Sequence, residues 1–319
     1  KGKNFFNEIY NQYSFSDNIN FILGISNEVQ SLGSDKLPWN FEEVKFNDTK
    51  ISNTDIYTNF NTKFLENYHL DFGGRLTNNS EFKNHFIYSI NPYYLKEFES
   101  TYYKIGFSYS TAFIAPTLYQ VYGFSSAGTL PNANLKPEFT TEYEAGVDLR
   151  FLNDRIGLDV TYFSNRNTDM IIPLDVAPSS GATNLVINAG ETTAKGLETS
   201  LRVTPIKNQD FRWDLAFNFS RIRTKVVDTY PGVDRIYLGG FSGNPAIYAI
   251  KGERYGSIIG TGYSRNDNGQ ILVDADGYPI WDEAVNLGHT EADWTGGAST
   301  TFSYKGFYAS ASLDIRQGG

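Results

Sequence analysis

The sequence predicts an all-β protein, an antiparallel transmembrane β-barrel. Three observations support this prediction. Apolar and polar residues alternate over long stretches, the strands are longer than those of most soluble sheets, and short and long connections alternate along the chain. The composition agrees, because Tyr, Phe and Trp make up 16% of the 319 residues and aromatic residues favour strands.

The alternation is clearest in the ten residues FRWDLAFNFS, which begin at Phe211. Trp213 and Leu215 share the side of Phe211 in an extended chain, whereas Arg212 and Asp214 point to the opposite side. Roughly 13 strands follow this pattern, many of them longer than the usual length of about 5 to 6 residues. Their apolar faces are too extensive for one core, so we expect these faces to contact lipid around a wet lumen. The residues that we expect to face lipid are Tyr143, Val147, Leu149, Ile156, Leu158, Val160, Phe211, Trp213, Leu215, Phe217, Leu313 and Ile315.

The connections between strands support the same fold. Bacterial outer-membrane barrels have short periplasmic turns and longer extracellular loops, and the sequence predicts this difference between the two ends. Short turns are predicted at 16–18, 66–67, 96–100, 152–155, 205–210 and 305–306. Long connections are predicted at 32–50, 77–84, 112–137, 171–187 and 228–244.

Composition excludes several classes of protein. The net charge is -9 and no basic block occurs, so we expect no nucleic-acid partner. Zero cysteines exclude disulfides and thiolate metal sites. The longest apolar run, Ala246 to Ile250, is too short for a transmembrane helix, and the first residues lack the apolar stretch of a signal peptide. We therefore expect any targeting segment to be upstream or removed.

Charged and polar motifs predict no enzyme and no cofactor. Glu142, Glu144 and Asp148 share one face of a predicted strand with Arg150, which favours a charge-balanced lumen wall over a catalytic pair. Two short motifs resemble part of a calcium loop, but Asn-Gly and Asp-Gly turns explain them better. The residues concerned are Asp267, Asn268, Gly269, Asp274, Asp276 and Gly277. The histidines, His69, His85 and His289, have no metal-binding spacing and are expected to line the surface or lumen.

Aromatic residues in the connection at 112–137 are candidates for binding a ligand. Tyr119, Tyr122 and Phe124 lie among Gly, Ser and Asn and could stack against a sugar ring or a corrin. An aromatic girdle at the membrane interface, or packing within the loop, is the alternative interpretation and is favoured for any single residue.

Several segments resemble TonB-dependent outer-membrane receptors. The stretch from Asn134 to Phe163, NLKPEFTTEYEAGVDLRFLNDRIGLDVTYF, resembles the barrel hallmark of this family. STAFIAPTLYQVYG at 110–123 and NAGETTAKGLETSL at 188–201 resemble other strands of these barrels. The part from Asp55 to Gly123 is similar to cobalamin and siderophore receptors. From Thr140 onward, including PSSGATNLVINAGE at 178–191, the chain resembles the SusC-type subfamily.

The resemblance implies a 22-stranded barrel, of which residues 1–319 would be a part that lacks the plug domain, the TonB box and the last strands. It implies active import of a bulky nutrient across the bacterial outer membrane, with glycans or peptides favoured over cobalamin or siderophores. The implied partners are lipid, the plug, the TonB-ExbB-ExbD system and a SusD-like surface lipoprotein. Alternatives are a passive porin, a structural or adhesin barrel, and a soluble carbohydrate-binding β-protein.

Overall fold

The computed structural model describes residues 2–32, 49–123, 128–240 and 244–319, and nearly all of its regular elements are strands. The strands are β1 (Gly2–Ser16), β2 (Ile19–Leu32), β3 (Thr49–Leu65), β4 (Tyr68–Asn79), β5 (Lys83–Glu97), β6 (Tyr102–Ile114), β7 (Thr129–Leu130), β8 (Glu138–Phe151), β9 (Ile156–Thr168), β10 (Ile171–Asp175), β11 (Asn184–Asn188), β12 (Glu191–Lys207), β13 (Phe211–Asp228), β14 (Arg235–Gly240), β15 (Ala246–Ile250), β16 (Ser257–Tyr263), β17 (Trp281–His289), β18 (Trp294–Tyr304) and β19 (Phe307–Gln317). One short α-helix, α1 (Leu118–Tyr122), and a 3-10 turn at Pro178–Ser180 complete the described elements. The all-β prediction is therefore confirmed.

The chain divides into two compact units, Lys1–Asn188 and Ala189–Gly319. In the first unit β1 to β6, β8 and β9 follow one another as antiparallel neighbours. The strands of this meander have 12 to 17 residues, more than the about 9 to 11 needed by a tilted strand to cross a bilayer. They are therefore longer than a crossing of the hydrocarbon layer requires.

Tight turns connect these strands at one end of the first unit. At the opposite end, α1 and the three-stranded sheet of β10, β11 and β7 lie in the connections that follow β6 and β9. A small core of Val121, Leu135 and Val186 holds this region together, with Phe82, Tyr122 and Ile171 packed against it. The connection at 32–50 lies mostly outside the described residues.

The prediction of a long connection at 77–84 was wrong. β4 runs to Asn79 and β5 begins at Lys83, so only three residues form the turn. Oδ1 of Asn79 accepts hydrogen bonds from the backbone N–H groups of Glu81 and Phe82, each at 2.8 Å. Cross-strand pairing thus continues through this segment. Most of its side chains are polar on both faces, so the sequence shows no alternation of apolar and polar residues there.

In the second unit β12, β13, β18 and β19 pair antiparallel in that order. A second antiparallel sheet, β14 to β17, lies within the connection from β13 to β18. The turns at 208–210 and 305–306 are short and share one end of this unit. Within the described residues β19 pairs with β18 alone, and in the first unit β1 pairs with β2 alone, so neither unit closes its own sheet into a cylinder.

The polarity of β13 reverses along its length. From Phe211 to Phe219 the odd-numbered positions are apolar and their neighbours are mostly polar, as the sequence predicts. Beyond Phe219 the odd positions become Arg221, Arg223 and Lys225, whereas the even position Val226 is buried. The apolar face therefore covers nine residues, which is the span expected of a strand that crosses lipid.

None of the helical segments among the described residues combines the length and the apolar character that a membrane-crossing helix requires.

Candidate functional site

An apolar face covers the main sheet of the second unit. The register places Trp213 opposite Phe302, Leu215 opposite Thr300, and Phe217 opposite Ala298. The Trp213 indole stacks on the Phe302 ring with 5.3 Å between centroids, and its Nε1 donates to the Thr300 hydroxyl at 2.8 Å. The residues of β19 on this face include Leu313 and Ile315, paired with Ala298 and Gly296. Sequence-predicted residues Phe211, Trp213, Leu215, Phe217, Leu313 and Ile315 thus share one face.

The first unit has an equivalent face on β8 and β9. Val147 lies opposite Val160 and Leu149 lies opposite Leu158. Tyr143 shares this face, and its ring lies 4.9 Å from that of Tyr109 on β6. Ile156 completes the predicted set. The structure therefore places each predicted group of apolar residues together, and several of these side chains, including Tyr143 and Leu313, stay largely exposed.

The opposite face of the first unit is polar and contains a depression of about 410 Å³. Its floor includes the facing pair Gly106 and Gly146, where missing side chains leave space between longer neighbours. Among its other lining residues are Asp71, Asn91, Lys104, Glu144, Asp148, Asp159 and Thr161. Carboxylates outnumber cations here, so the depression suits a polar or positively charged group.

A stack of side chains borders this depression. The imidazole of His69 lies parallel to the Tyr93 ring with 4.7 Å between centroids. Nζ of Lys104 lies 4.4 Å from the centroid of the Tyr93 ring, within cation–π range. A Cβ atom added at Gly106 would lie 3.3 Å from Cβ of Tyr93, so glycine allows the tyrosine to lie close to the strand.

One carboxylate of β8, Asp148, is held in the wall by Arg150 of the same strand. Nε of Arg150 donates to Oδ1 of Asp148 at 2.9 Å, and a second guanidinium nitrogen donates to Oδ2 at 3.2 Å. Glu142 and Glu144 lie opposite Asn165 and Phe163 of β9. The pair of Asp148 and Arg150 balances one carboxylate of this face.

The aromatic ligand candidates occupy different environments. Tyr119 lies on α1 with 53% of its surface exposed. Tyr122 is the last residue of α1 and packs against the core of Val121 and Leu135. Its burial raises the pKa of the phenol, and a hydrogen bond to Glu81 contributes in the same direction. Phe124 lies outside the described residues.

The turns that resemble part of a calcium loop use their side chains internally. Oδ1 of Asp274 accepts the backbone N–H groups of Asp276 and Tyr278, each at 2.9 Å. Gly269 and Gly277 have positive φ angles of 78° and 84°, as the turn interpretation predicts. Over the described ranges no group of three or more His, Asp or Glu residues could hold a metal ion.

The three histidines are not brought together. His69 stacks on Tyr93, and a ring nitrogen of His85 lies 2.7 Å from the carbonyl oxygen of Phe82. Nε2 of His289 lies 3.7 Å from Oδ1 of Asp293 in the second unit. Each histidine therefore belongs to its own local cluster.

An ion-pair network joins β13 to the connection before β18. Oδ1 of Asp293 accepts from Arg223 at 2.7 Å and from Arg254 at 3.0 Å. Arg254 also lies 3.6 Å from Glu291, whose other contact is a hydrogen bond from the backbone N–H of Thr224. The hydrogen bond from Arg223 holds the pKa of the Asp293 carboxyl below its ordinary value, and the charges of Arg254 and His289 act in the same direction.

Sequence reasoning missed the depression and this network. The i, i+2 pattern places Lys104, Gly106 and Ser108 on one face of β6, which is a usable signal. It does not show that Gly106 faces Gly146, because that depends on the register between strands. Asp293 lies far from Arg223 in sequence, so no local pattern connects them.

The chain resembles known proteins both in sequence and in fold. The profile of the family described as TonB dependent receptor-like, beta-barrel matches residues 2–316. TonB-dependent receptor P3 of Formosa agariphila is 28% identical over 200 residues, which cover 55% of this chain and 20% of the receptor. TonB-dependent receptor SusC of Bacteroides thetaiotaomicron is 32% identical over 108 residues, 33% of this chain and 11% of SusC. The chain thus spans a fifth or less of these relatives.

Solved structures share the fold at lower identity. The RagAB peptide transporter aligns with a TM-score of 0.69 and 18% identity, over 98% of this chain and 41% of that one. The siderophore receptor PirA from Pseudomonas aeruginosa aligns with a TM-score of 0.54 and 16% identity, over 98% of this chain and 55% of that one. At these identities the likeness concerns the fold alone.

Proposed function

Because this chain belongs to the TonB-dependent receptor β-barrel family, we propose that it forms part of the wall of an active importer in the bacterial outer membrane. The observation that carries the proposal is the division of its long strands into one apolar and one polar face. On β13 and β18 the apolar face includes Trp213 and Phe302, whereas Asp214 and Thr301 form a cross-strand pair on the other face. In this proposal the first face contacts lipid and the second lines the lumen.

The same orientation applies to the first unit. Tyr143, Val147 and Leu149 of β8 would contact hydrocarbon together with their partners on β9. The polar depression around Gly106 and Gly146 would then open into the lumen, where water and a plug domain can reach it. Residues 1–319 would thus supply part of a larger 22-stranded barrel, whose plug and TonB-contacting segment belong to other parts of the protein.

We propose a glycan or a peptide as the imported nutrient. The similarity to SusC over the sequence and to the RagAB peptide transporter over the fold supports this choice. A hemin receptor of Yersinia pestis, 28% identical over 141 residues, and the fold of the siderophore receptor PirA keep iron chelates in the test panel. Cobalamin stays in the panel because of the resemblance of residues 55–123. A SusD-like lipoprotein and the TonB-ExbB-ExbD system are the proposed partners.

The test uses the full-length gene in its own host. Uptake of labelled oligosaccharides, oligopeptides, cobalamin and a ferric siderophore is measured with and without the TonB-contacting segment. We expect accumulation of one substrate class against a gradient, and we expect deletion of the segment to abolish it. Unchanged uptake after the deletion would leave a passive pore.

Spin labels test the orientation separately. A label at Leu215 should be accessible to oxygen dissolved in lipid, and a label at Asn218 should be accessible to a water-soluble relaxation agent. Reversed accessibilities would reject the assignment of the two faces, whatever the transported substrate.

A further inference from the structure

A row of basic residues continues the apolar face of β13 beyond Phe219. Arg221, Arg223 and Lys225 occupy alternate positions of the strand. The pairing of β13 with β12 contains no register shift between Phe219 and Lys225, so the alternation of side chains is unbroken there. The three basic side chains therefore point to the same side of the sheet as Phe219.

Two further basic residues lie on the same face. Lys195 of β12 is directly opposite Arg223, and Arg254 is directly opposite Lys225 in an isolated antiparallel bridge. Residues that pair directly across two strands share a face of the sheet. We call the resulting group the basic patch; its members are Lys195, Arg221, Arg223, Lys225 and Arg254.

Carboxylates balance only part of the basic patch. Arg223 and Arg254 both donate to Asp293, at 2.7 and 3.0 Å, so this one carboxylate is shared by two arginines. Arg254 also lies 3.6 Å from Glu291. The other three members of the patch are exposed, and over the ranges that the structure describes none of them forms an ion pair with a carboxylate. The patch is thus a positive surface on a chain whose net charge is -9.

The spacing of these cations favours an anion between them. Cβ atoms of directly opposite residues such as Lys195 and Arg223 lie about 4.5 to 5.5 Å apart, and like charges in such a pair destabilise a sheet. Arg221 and Arg223 follow each other on the same face at about 7 Å. A phosphate group supplies negative charge and several acceptor oxygens, to which both guanidinium and ammonium groups donate charge-assisted hydrogen bonds.

The basic patch begins where the apolar face ends. The ring of Trp294 stacks on that of Phe219 with 5.9 Å between centroids, and tryptophan is enriched at the boundary between hydrocarbon and water. Arg221 and Arg223 lie about 7 and 14 Å beyond Phe219 along the strand. In a strand tilted by about 40° these lengths correspond to about 5 and 10 Å of height, which reaches into a headgroup layer about 5 to 8 Å thick.

The patch lies within the sheet and not at its edge. β13 pairs with β12 along one side and with β18 along the other. In the proposed function, other strands of the barrel continue the sheet beyond its outer strands, and the plug contacts its polar face. Neither of them would cover the basic patch.

We propose that the basic patch binds the phosphate group of an anionic lipid in the outer leaflet of the membrane. The acyl chains of that lipid would contact the neighbouring apolar face, so the ligand is a lipid and not free phosphate. The inference rests on the proposed function, because this face meets lipid, and this end of β13 the outer leaflet, only in the proposed orientation.

The test titrates the purified full-length receptor in detergent micelles and counts bound molecules by native mass spectrometry. The probes are phosphorylated lipid A, lipid A from which a phosphatase has removed the phosphate, and inorganic phosphate. We expect the receptor to bind the phosphorylated lipid at least about tenfold more tightly than the dephosphorylated one, as expected when two or more cations contact the phosphate.

Substitutions then assign the binding to the basic patch. Arg221→Gln and Lys225→Gln should each weaken binding of phosphorylated lipid A about fivefold, and Arg221→Lys should retain most of the affinity because it keeps the charge. Both residues are exposed, so the fold should not change. The matched control is Arg202→Gln, which removes an exposed arginine from the opposite face of β12 and should leave the affinity unchanged.

Equal affinity for the two forms of lipid A would overturn the proposal, as would equal losses in Arg221→Gln and Arg202→Gln. Inorganic phosphate that binds as tightly as phosphorylated lipid A would also overturn it, in favour of a free anion. Nutrient uptake by the wild-type strain separates the two proposals. Normal TonB-dependent uptake without a preference for the phosphorylated lipid rejects the lipid site and leaves the proposed function intact. A preference that Arg221→Gln removes, in a receptor without TonB-dependent uptake, supports the lipid site and rejects active import.

Discussion

Val226 and Val227 are neighbours in β13 with opposite environments, since 2% of Val226 and 37% of Val227 is exposed. Val226 also exchanges backbone hydrogen bonds with the segment 252–253. We expect Val226→Ala to lower the free energy of unfolding by about 1–3 kcal/mol, because it leaves a cavity in a packed site. Val227→Ala should cost less than about 0.5 kcal/mol. Equal losses, measured by denaturant titration in detergent, would contradict the polarity reversal.

The apolar face of β13 predicts a difference between two arginine substitutions. Leu215→Arg would place a cation in hydrocarbon in the proposed orientation and should destabilise the inserted protein by about 2–4 kcal/mol. Asn218→Arg would meet the polar face, where Asn218 and Asp314 both lie beside Gly297, and should be tolerated. Unfolding from lipid vesicles measures both. A tolerated Leu215→Arg would contradict the assignment.

The ion-pair network predicts a local effect of Asp293→Asn. The substitution removes the charge that Arg223 and Arg254 share, so the segment 251–257 should exchange amide hydrogens faster. The control is Asp210→Asn, which removes a more exposed pair with Lys305 at the short-turn end. If 251–257 responds equally to both substitutions, the network does not fasten that segment.

The lowered pKa of Asp293 predicts how this contribution depends on pH. A carboxyl whose pKa is lower in the folded state stabilises the fold fully above its ordinary value of 3.8. The contribution is lost as the pH falls below 3.8 and through the folded pKa. The difference in melting temperature between wild type and Asp293→Asn should therefore be constant near neutrality and close on acidification. A difference that persists unchanged to pH 2, roughly two units below the ordinary pKa, would argue against this linkage.

Tyr119 and Tyr122 are expected to respond differently to substitution. Tyr119→Ala removes an exposed ring and should weaken binding of a stacking ligand about 2- to 10-fold, with little effect on stability. Tyr122→Ala removes a ring packed against Val121 and Leu135 and should lower stability instead. Isothermal titration with the imported nutrient and thermal unfolding separate the two effects. Unchanged affinity in Tyr119→Ala would assign this ring to loop packing.

The sequence predicts strands best where alternation is local and strong. Phe211 to Phe219 shows every second residue apolar, and the structure pairs this segment throughout with β18. The segment 77–84 has little apolar contrast, so its short turn was missed although its backbone pairs as regularly. A strand that continues past the proposed lipid-facing span has no reason to keep the alternation by which the sequence predicts it.

Sequence patterns did not predict contacts between residues that are far apart in the chain. The depression depends on Gly106 facing Gly146, and the network depends on Asp293 reaching Arg223. Both follow from strand register, which one-dimensional periodicity leaves undetermined. The segment 264–280 was predicted only as two turns, because the backbone hydrogen bonds that join Ser264, Leu272 and Ile280 link residues at least eight positions apart in the chain.

The reversal of polarity along β13 also bears on the depth at which this strand would lie in the bilayer. In the proposed orientation, a shift of the strand by two residues toward the hydrocarbon would place Arg221 in the hydrocarbon layer and Phe211 in water. Each further step costs more free energy, since the penalty for a cation on the lipid face rises from about 0–1 kcal/mol near the interface to about 2–4 kcal/mol at the bilayer midplane. In that orientation Arg221, Arg223 and Lys225 would fix the depth at which β13 lies in the bilayer.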